Sequence, residues 1–235
     1  MDTLSLVIAT LRDPQRLVND HDRPEAVAVL APRLLLITSA GAATFGAVVG
    51  SYRGDLQVAF VALKMPLLLL VPVLVTLPAV HAAWRAAEVD VSWQRLALAS
   101  LVGLSRSAVL AAAAAPVLWL LYSLGIDYHF ATLVMAAALV AVGLPGFFTL
   151  LGAAPGGGRL KALATMGCLV LLGLSTAQTG WLLRPFLARP TAEVTLLRPV
   201  ESDVFSALYS TTRSATGYYP GWEAERSGHL HELGL

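Results

Sequence analysis

The chain has 235 residues, of which 57% are hydrophobic and only 13% are charged. An average soluble domain is roughly 45–50% apolar and about 25% charged, so this composition excludes a soluble globular domain, and it is too apolar for a disordered chain. The 16 Lys and Arg residues against 15 Asp and Glu residues give a net charge of +1, which excludes the strongly basic composition of a typical nucleic-acid-binding protein. The single cysteine, Cys168, excludes an intrachain disulfide. The composition indicates an integral membrane protein in contact with the lipid bilayer.

Residues 1–33 are predicted to form a cytoplasmic N-terminal segment. It opens on an amphipathic helix at the membrane surface, because four apolar residues recur at helical spacing. These residues are Leu4, Val7, Ile8 and Leu11. The segment begins with an acid and its apolar part is short, so we expect no signal peptide. Residues 13–33 are polar and contain Pro24 and Pro32, which predicts a short linker with one more helical turn.

Residues 34–183 are predicted to form a membrane domain of five spans. A helix that crosses the bilayer needs about 20 mostly apolar residues, and it satisfies its backbone polar groups internally. The apolar runs Leu67–Val75 and Val109–Leu121 lack the alternation of a transmembrane strand. We therefore predict an all-α integral membrane helical bundle with interfacial helices. Its spans are Leu34–Gly50, Met65–Ala83, Ser107–Leu124, Phe130–Leu151 and Ala162–Leu183.

The second and third spans have ambiguous beginnings, because each follows an apolar stretch that ends at a cation. Leu56–Leu63 precedes Lys64, and Trp93–Leu104 precedes Arg106. Each stretch is either a separate interfacial helix or the true start of the span, which would then bury the cation. A charge at the bilayer centre costs at least about 2.5–3.5 kcal/mol. We therefore favour interfacial helices at both places.

The distribution of Lys and Arg predicts the orientation. With the N-terminus in the cytoplasm, the inner segments carry nine Lys or Arg residues and the short outer loops carry two. The C-terminal segment, residues 184–235, then lies outside, although three basic residues in it count against this. We expect a multi-pass protein of a bacterial inner membrane, with a partly ordered extracytoplasmic tail. So short an apolar-poor segment rarely folds alone, so it is expected to pack on the membrane domain or on a partner.

Small residues in the first span predict a close helix contact. Gly46 and Gly50 are four residues apart, a spacing that lets two helix backbones approach closely in lipid. The contact is either with another subunit or within the bundle, and the sequence leaves both open.

The exit from the last span carries the most distinctive stretch of the chain, at Trp181, Arg184, Pro185 and Phe186. Trp181 is suited to the headgroup level, Arg184 to lipid phosphates, and Pro185 to ending the helix. Phe186 is expected to fold back against the surface. We predict that these four residues form an interfacial anchor that fixes the tail at the outer interface.

Catalytic motifs are missing from the sequence. It has no nucleophile elbow, no His-Glu-x-x-His zinc motif and no phosphate-binding P-loop. His229 and His231 share the C-terminal end, where such a pair is more often part of a tail than a metal site. We expect no enzyme activity, no cofactor and no metal.

The stretch Gln178-x-Gly-Trp-x-Leu-Arg-Pro-Phe186 resembles a group of bacterial multi-pass membrane proteins, as do Ala31–Leu36, Gly46–Arg53, Gln57 and Leu63–Pro66. The layout is also similar to the Yip-type family of five-span proteins. This resemblance implies a cytosolic N-terminus and a non-enzymatic role exerted through partners and membrane organisation.

Two functions remain as hypotheses. The first is a structural or scaffold subunit of a larger membrane complex, with other membrane protein subunits as partners and no nucleic acid. It follows from the small-residue faces and from the lack of acids in the predicted spans. The alternative is a small-solute transporter or channel, with a water-filled cavity lined by Lys64, His81, Arg106 or Gln178.

Overall fold

A computed structural model of the chain describes residues 2–153, 158–187 and 195–197. Within those residues it contains seven α-helices and no strand, so the predicted all-α fold is confirmed. The helices are α1 (Thr3–Arg12), α2 (Pro14–Asp20), α3 (Pro24–Ser51), α4 (Leu56–Ala86), α5 (Trp93–Ser123), α6 (Tyr128–Gly152) and α7 (Arg159–Leu182). Five of them, α3 to α7, are long and apolar enough to cross a membrane, which makes the chain a multi-pass membrane protein.

The linker predicted over residues 13–33 is wrong. Asp13 caps α2, since its carboxylate accepts a hydrogen bond from the Arg16 amide at 3.2 Å. The next helix, α3, begins at Pro24 rather than at Leu34, because proline in a first helical turn loses no hydrogen bond that the helix would otherwise make. The first helix lies where it was predicted, with Leu6 and Thr10 buried against the bundle. Leu4 and Ile8 remain 68% and 45% exposed, and their contact with lipid stays a prediction.

The interfacial helices favoured before the second and third spans are also wrong. Both α4 and α5 run unbroken through the cation, so the spans begin early and carry it inside. The reason is that each cation donates a hydrogen bond to a backbone carbonyl in another part of the chain. Lys64 Nζ donates to the Pro185 carbonyl at 3.0 Å, and the Arg106 guanidinium donates to the Pro145 carbonyl at 3.4 Å.

The five long helices form an open arc in the order α6, α5, α3, α4, α7. Each packs mainly on its neighbours in this order, and α6 and α7, at the two ends of the arc, hardly touch each other. We call the end of the bundle where α3, α5 and α7 finish the exit end. At the opposite end, α1 and α2 pack against α5. There Arg95 donates to the Ala153 carbonyl at 2.8 Å and to Asn19 Oδ1 at 2.5 Å.

Close backbone approaches join neighbouring helices of the arc. A Cβ on Gly41 of α3 would lie 2.5 Å from the Ala108 carbonyl oxygen of α5. A Cβ on Gly103 of α5 would lie 2.6 Å from the Gly146 carbonyl oxygen of α6. In lipid, helices gain little from hydrophobic burial against each other, so such close packing supplies much of their association. The arc therefore depends on small residues where its helices cross.

We expect Gly146→Ala to separate α5 from α6, because the new Cβ would collide with Ser107 Oγ and the Gly103 carbonyl oxygen. Overpacking of this kind costs about 1–3 kcal/mol. The melting temperature in mild detergent measures the loss. Gly143→Ala, on the same helix, is the matched control, since a Cβ there meets no atom within 4 Å. Equal melting temperatures for the two variants would contradict the close crossing.

Candidate functional site

Polar side chains and backbone converge at the exit end, where the chain leaves α7. Gln57 Nε2 donates to the carbonyls of Pro185 and Phe186, at 3.1 Å each. Lys64 Nζ donates to the same Pro185 carbonyl at 3.0 Å. We call Gln57, Lys64, Pro185 and Phe186 the exit-end cluster. It fixes the first residues beyond α7 onto α4, a helix more than a hundred positions earlier in the chain.

The periodicity of α4 explains why Gln57 and Lys64 act together. They are seven residues apart, which is about two helical turns, so their side chains leave the same face of the helix. Both are sealed from solvent, with exposures of 0% and 1%. Gln57 Oε1 is buried and has no hydrogen-bond partner in the part of the chain that the structure describes. The amide therefore acts as a donor to the backbone of residues 185 and 186.

Two cation–aromatic contacts flank these hydrogen bonds. The Arg184 guanidinium lies 3.7 Å from the centre of the Trp181 ring, well inside the distance at which such pairs attract. Lys64 Nζ lies 6.0 Å from the centre of the Phe186 ring, at the outer limit of that range. Trp181, Arg184 and Phe186 remain half-buried, whereas Pro185 is buried. The four predicted anchor residues thus lie together in the short segment 181–186, where α7 ends. Their place at a membrane interface remains a prediction.

Gly46 and Gly50 lie against the backbone of α4 beside the exit-end cluster. A Cβ on Gly46 would lie 2.5 Å from the Val61 carbonyl oxygen, and one on Gly50 would lie 2.6 Å from the Gln57 carbonyl oxygen. Both glycines are buried in the contact between α3 and α4 of this chain. Their packing therefore lies within the bundle, and it places the backbone of Gln57 directly against α3.

The residues expected to line a transport cavity lie apart. His81 Nε2 is 3.2 Å from the Val91 carbonyl oxygen, at the end of α4 remote from Lys64. Seventeen residues of α4 separate the two, which is about 25 Å along the helix axis. Arg106 also donates to Thr149 Oγ1 at 3.3 Å, and Gln178 is half-buried on α7. The described structure brings none of these residues into the exit-end cluster except Lys64.

Buried hydroxyls in the middle of the bundle are bonded to its own helices. Ser105 Oγ donates to the Leu34 carbonyl at 2.9 Å, and Thr38 Oγ1 lies 3.0 Å from Ser105 Oγ. Acidic residues are missing from α4 to α7, and in α3 there is only Glu25, in the first turn. The buried Lys64 is bonded to a backbone carbonyl. The membrane-spanning parts of α3 to α7 offer it no carboxylate partner.

No three His, Cys, Asp or Glu side chains come together in the described ranges in a way that would hold a metal. His229, His231 and most of the predicted tail lie outside the described residues. Comparison of the chain with protein-family models, with curated proteins and with solved structures finds no match. The resemblance to Yip-type proteins therefore stays a prediction, as do the bacterial inner membrane and the orientation.

Sequence reasoning missed the role of Gln57. A single amide in an apolar stretch, with a lysine seven residues later, was the available signal. It showed that both side chains share a face of α4, but it could not show which backbone they meet. The partner carbonyls belong to residues 185 and 186, so only the tertiary structure reveals the contact.

We expect Gln57→Leu to loosen the chain beyond α7, because it removes two hydrogen bonds and leaves the Phe186 carbonyl without this donor. The loss is about 1–3 kcal/mol. Hydrogen exchange by mass spectrometry should show faster exchange in peptides that cover residues 183–187. Thr44→Val is the control, since the exposed Thr44 hydroxyl bonds within its own helix, to the Ala40 carbonyl. Unchanged exchange at residues 183–187 in Gln57→Leu would refute the cluster.

Proposed function

We propose that this integral membrane protein is a non-enzymatic scaffold subunit of a larger membrane complex. In this proposal the bundle holds the chain that follows α7 at one membrane surface, where a partner binds. The observation that carries the proposal is the exit-end cluster. It uses two fully buried polar side chains, Gln57 and Lys64, to fasten the backbone of residues 185 and 186.

The pattern of hydrogen bonds supports a structural role for the buried polar groups. Carriers coupled to protons or sodium usually place carboxylates or unwound carbonyls at a site near the bilayer midplane. Here Lys64 is bonded to the carbonyl of Pro185, and Arg106 to that of Pro145. Each cation is hydrogen-bonded at a place where one helix packs against another part of the chain. This arrangement favours a scaffold over the transporter hypothesis.

The outer surface of α7 favours contacts with lipid or with another subunit. Its apolar side chains are largely uncovered, among them Leu163, Met166 and Val170, at 61%, 60% and 54% exposure. Within the arc, α7 packs mainly on α4. A long apolar helix held on one side only is suited to receiving a partner helix on its free side.

Gentle solubilisation followed by native mass spectrometry tests the proposal. We expect an assembly heavier than the 24.8 kDa chain with its bound lipids, containing at least one other membrane protein. Gln57→Leu should lower the fraction of chain recovered with that partner, because the segment beyond α7 then keeps only the Lys64 hydrogen bond of the exit-end cluster. Thr44→Val should leave the fraction unchanged.

A chain that is monomeric in every mild detergent, with no co-purifying protein, would overturn the scaffold proposal. Solute flux through vesicles that contain the purified chain alone would favour the transporter instead. If the assembly forms equally well with Gln57→Leu, the complex does not depend on the exit-end cluster. The role that we propose for this cluster would then be refuted.

A further inference from the structure

A crevice runs between α6 and α7, the two ends of the helical arc, and α4 and α5 form its floor. It has an outer chamber of about 490 Å³ at the exit end and an inner chamber of about 200 Å³ deeper in the bundle. Leu68, Leu139 and Thr176 line both chambers, so the two spaces adjoin. Because α6 and α7 hardly touch, the crevice opens between them, and lipid is expected there if both helices cross the membrane.

The walls of the crevice are apolar even where the sequence places hydroxyls. Thr132 Oγ1 donates to the Tyr128 carbonyl, Thr176 Oγ1 to the Leu172 carbonyl and Ser100 Oγ to the Leu96 carbonyl, at 2.8 Å each. These bonds within single helices occupy the hydroxyl protons. The rest of the lining consists mainly of leucine, glycine and aromatic residues. Ser107 also lines the inner chamber, and its hydroxyl lies 3.5 Å from the Gly143 carbonyl oxygen of α6. Such walls suit a hydrocarbon chain and not a polar solute.

The mouth of the crevice has the opposite character. Arg184, stacked on Trp181, lines the outer chamber, and so does Pro185, whose carbonyl binds Lys64. A guanidinium presents a planar fork of donors that matches a phosphate group. Asp127, which precedes α6 at the same end of the bundle, accepts a hydrogen bond at Oδ1 from the Phe130 amide at 3.0 Å. A cation therefore stands at the edge of an apolar slot.

The dimensions fit one leaflet. From Tyr128 at the mouth to Leu139 between the chambers, α6 rises about 16 Å. This is close to half of the hydrocarbon thickness of a bilayer, which is about 30 Å. A lipid with its phosphate at Arg184 would have its acyl chain along the outer chamber, with the end of the chain near Leu139.

We propose that this crevice binds an anionic phospholipid, with its phosphate on Arg184 and one acyl chain between α6 and α7. The positive charge of Arg184 at the mouth selects the headgroup, and the apolar walls receive the acyl chain. The lipid would fill the gap that the arc leaves open and brace α7 against α6. This site does not depend on the scaffold proposal, since it involves only the chain and the bilayer.

Native mass spectrometry of the purified chain with phosphatidylglycerol or phosphatidylcholine tests the site. We expect the wild type to keep one phosphatidylglycerol through delipidation. Leu139→Trp, which fills the space between the chambers, should lower retention of either lipid by about tenfold. Arg184→Gln should keep an acyl-chain site but lose the preference for phosphatidylglycerol. The control is Leu163→Trp, on a position of α7 that is 61% exposed and outside the crevice lining.

Retention by Leu139→Trp equal to that of the wild type would overturn the proposal, as would a phosphatidylglycerol preference that survives Arg184→Gln. A dimer that Leu139→Trp converts to monomer would show that a second copy of the chain occupies the crevice, and would also overturn it. Should Leu139→Trp fail to fold, the lipid preference of Arg184→Gln, a half-exposed position, still decides the question.

Discussion

The structure depends on one constraint of the bilayer, which is that polar groups in the hydrocarbon must find their partners in the protein. Lys64 Nζ and one terminal nitrogen of Arg106 meet this constraint through backbone carbonyls rather than carboxylates. Arg106 Nε is buried without a hydrogen-bond partner among the described residues. A carbonyl oxygen has two lone pairs, so it can accept a side-chain donor in addition to a backbone amide. The chain thereby carries two cations inside its spans and ties separate elements together at each of them.

The bilayer also shapes the helix contacts, because helices in lipid associate largely through close packing. Gly41, Gly46 and Gly103 remove side-chain bulk where α3 meets α5 and α4, and where α5 meets α6. Contacts of this type run along the arc from α6 to α4, and α7 is joined to α4 chiefly by apolar packing and by the exit-end cluster. The free side of α7 and the crevice beside α6 are the consequence. A structural role and a lipid site are compatible, because each uses a different face of this last helix.

Much of the fold could be predicted from the sequence, because a bilayer-spanning apolar run is a local property. The five spans and the turn after Leu182 follow from hydropathy and from Pro185. The early starts of α4 and α5 could not be predicted, because the cost of burying Lys64 was judged from its own segment. Its partner carbonyl is 121 positions away in the chain. The crevice likewise arises from which helices do not touch, and hydropathy carries no signal for that.

Our central claim is that the middle of the bundle is dry, with Lys64 and Arg106 bonded to backbone carbonyls and Ser105 bonded to α3. Cysteine accessibility in native membranes tests this most directly, in a Cys168→Ala background that removes the single native thiol. Ser105→Cys replaces a hydroxyl that is 0% exposed, and Asp55→Cys provides an exposed position between α3 and α4. We predict that a charged thiol reagent, added to both sides, labels residue 55 and leaves residue 105 unmodified. Rapid labelling of residue 105 would reveal a water-filled path through the helices and contradict the account.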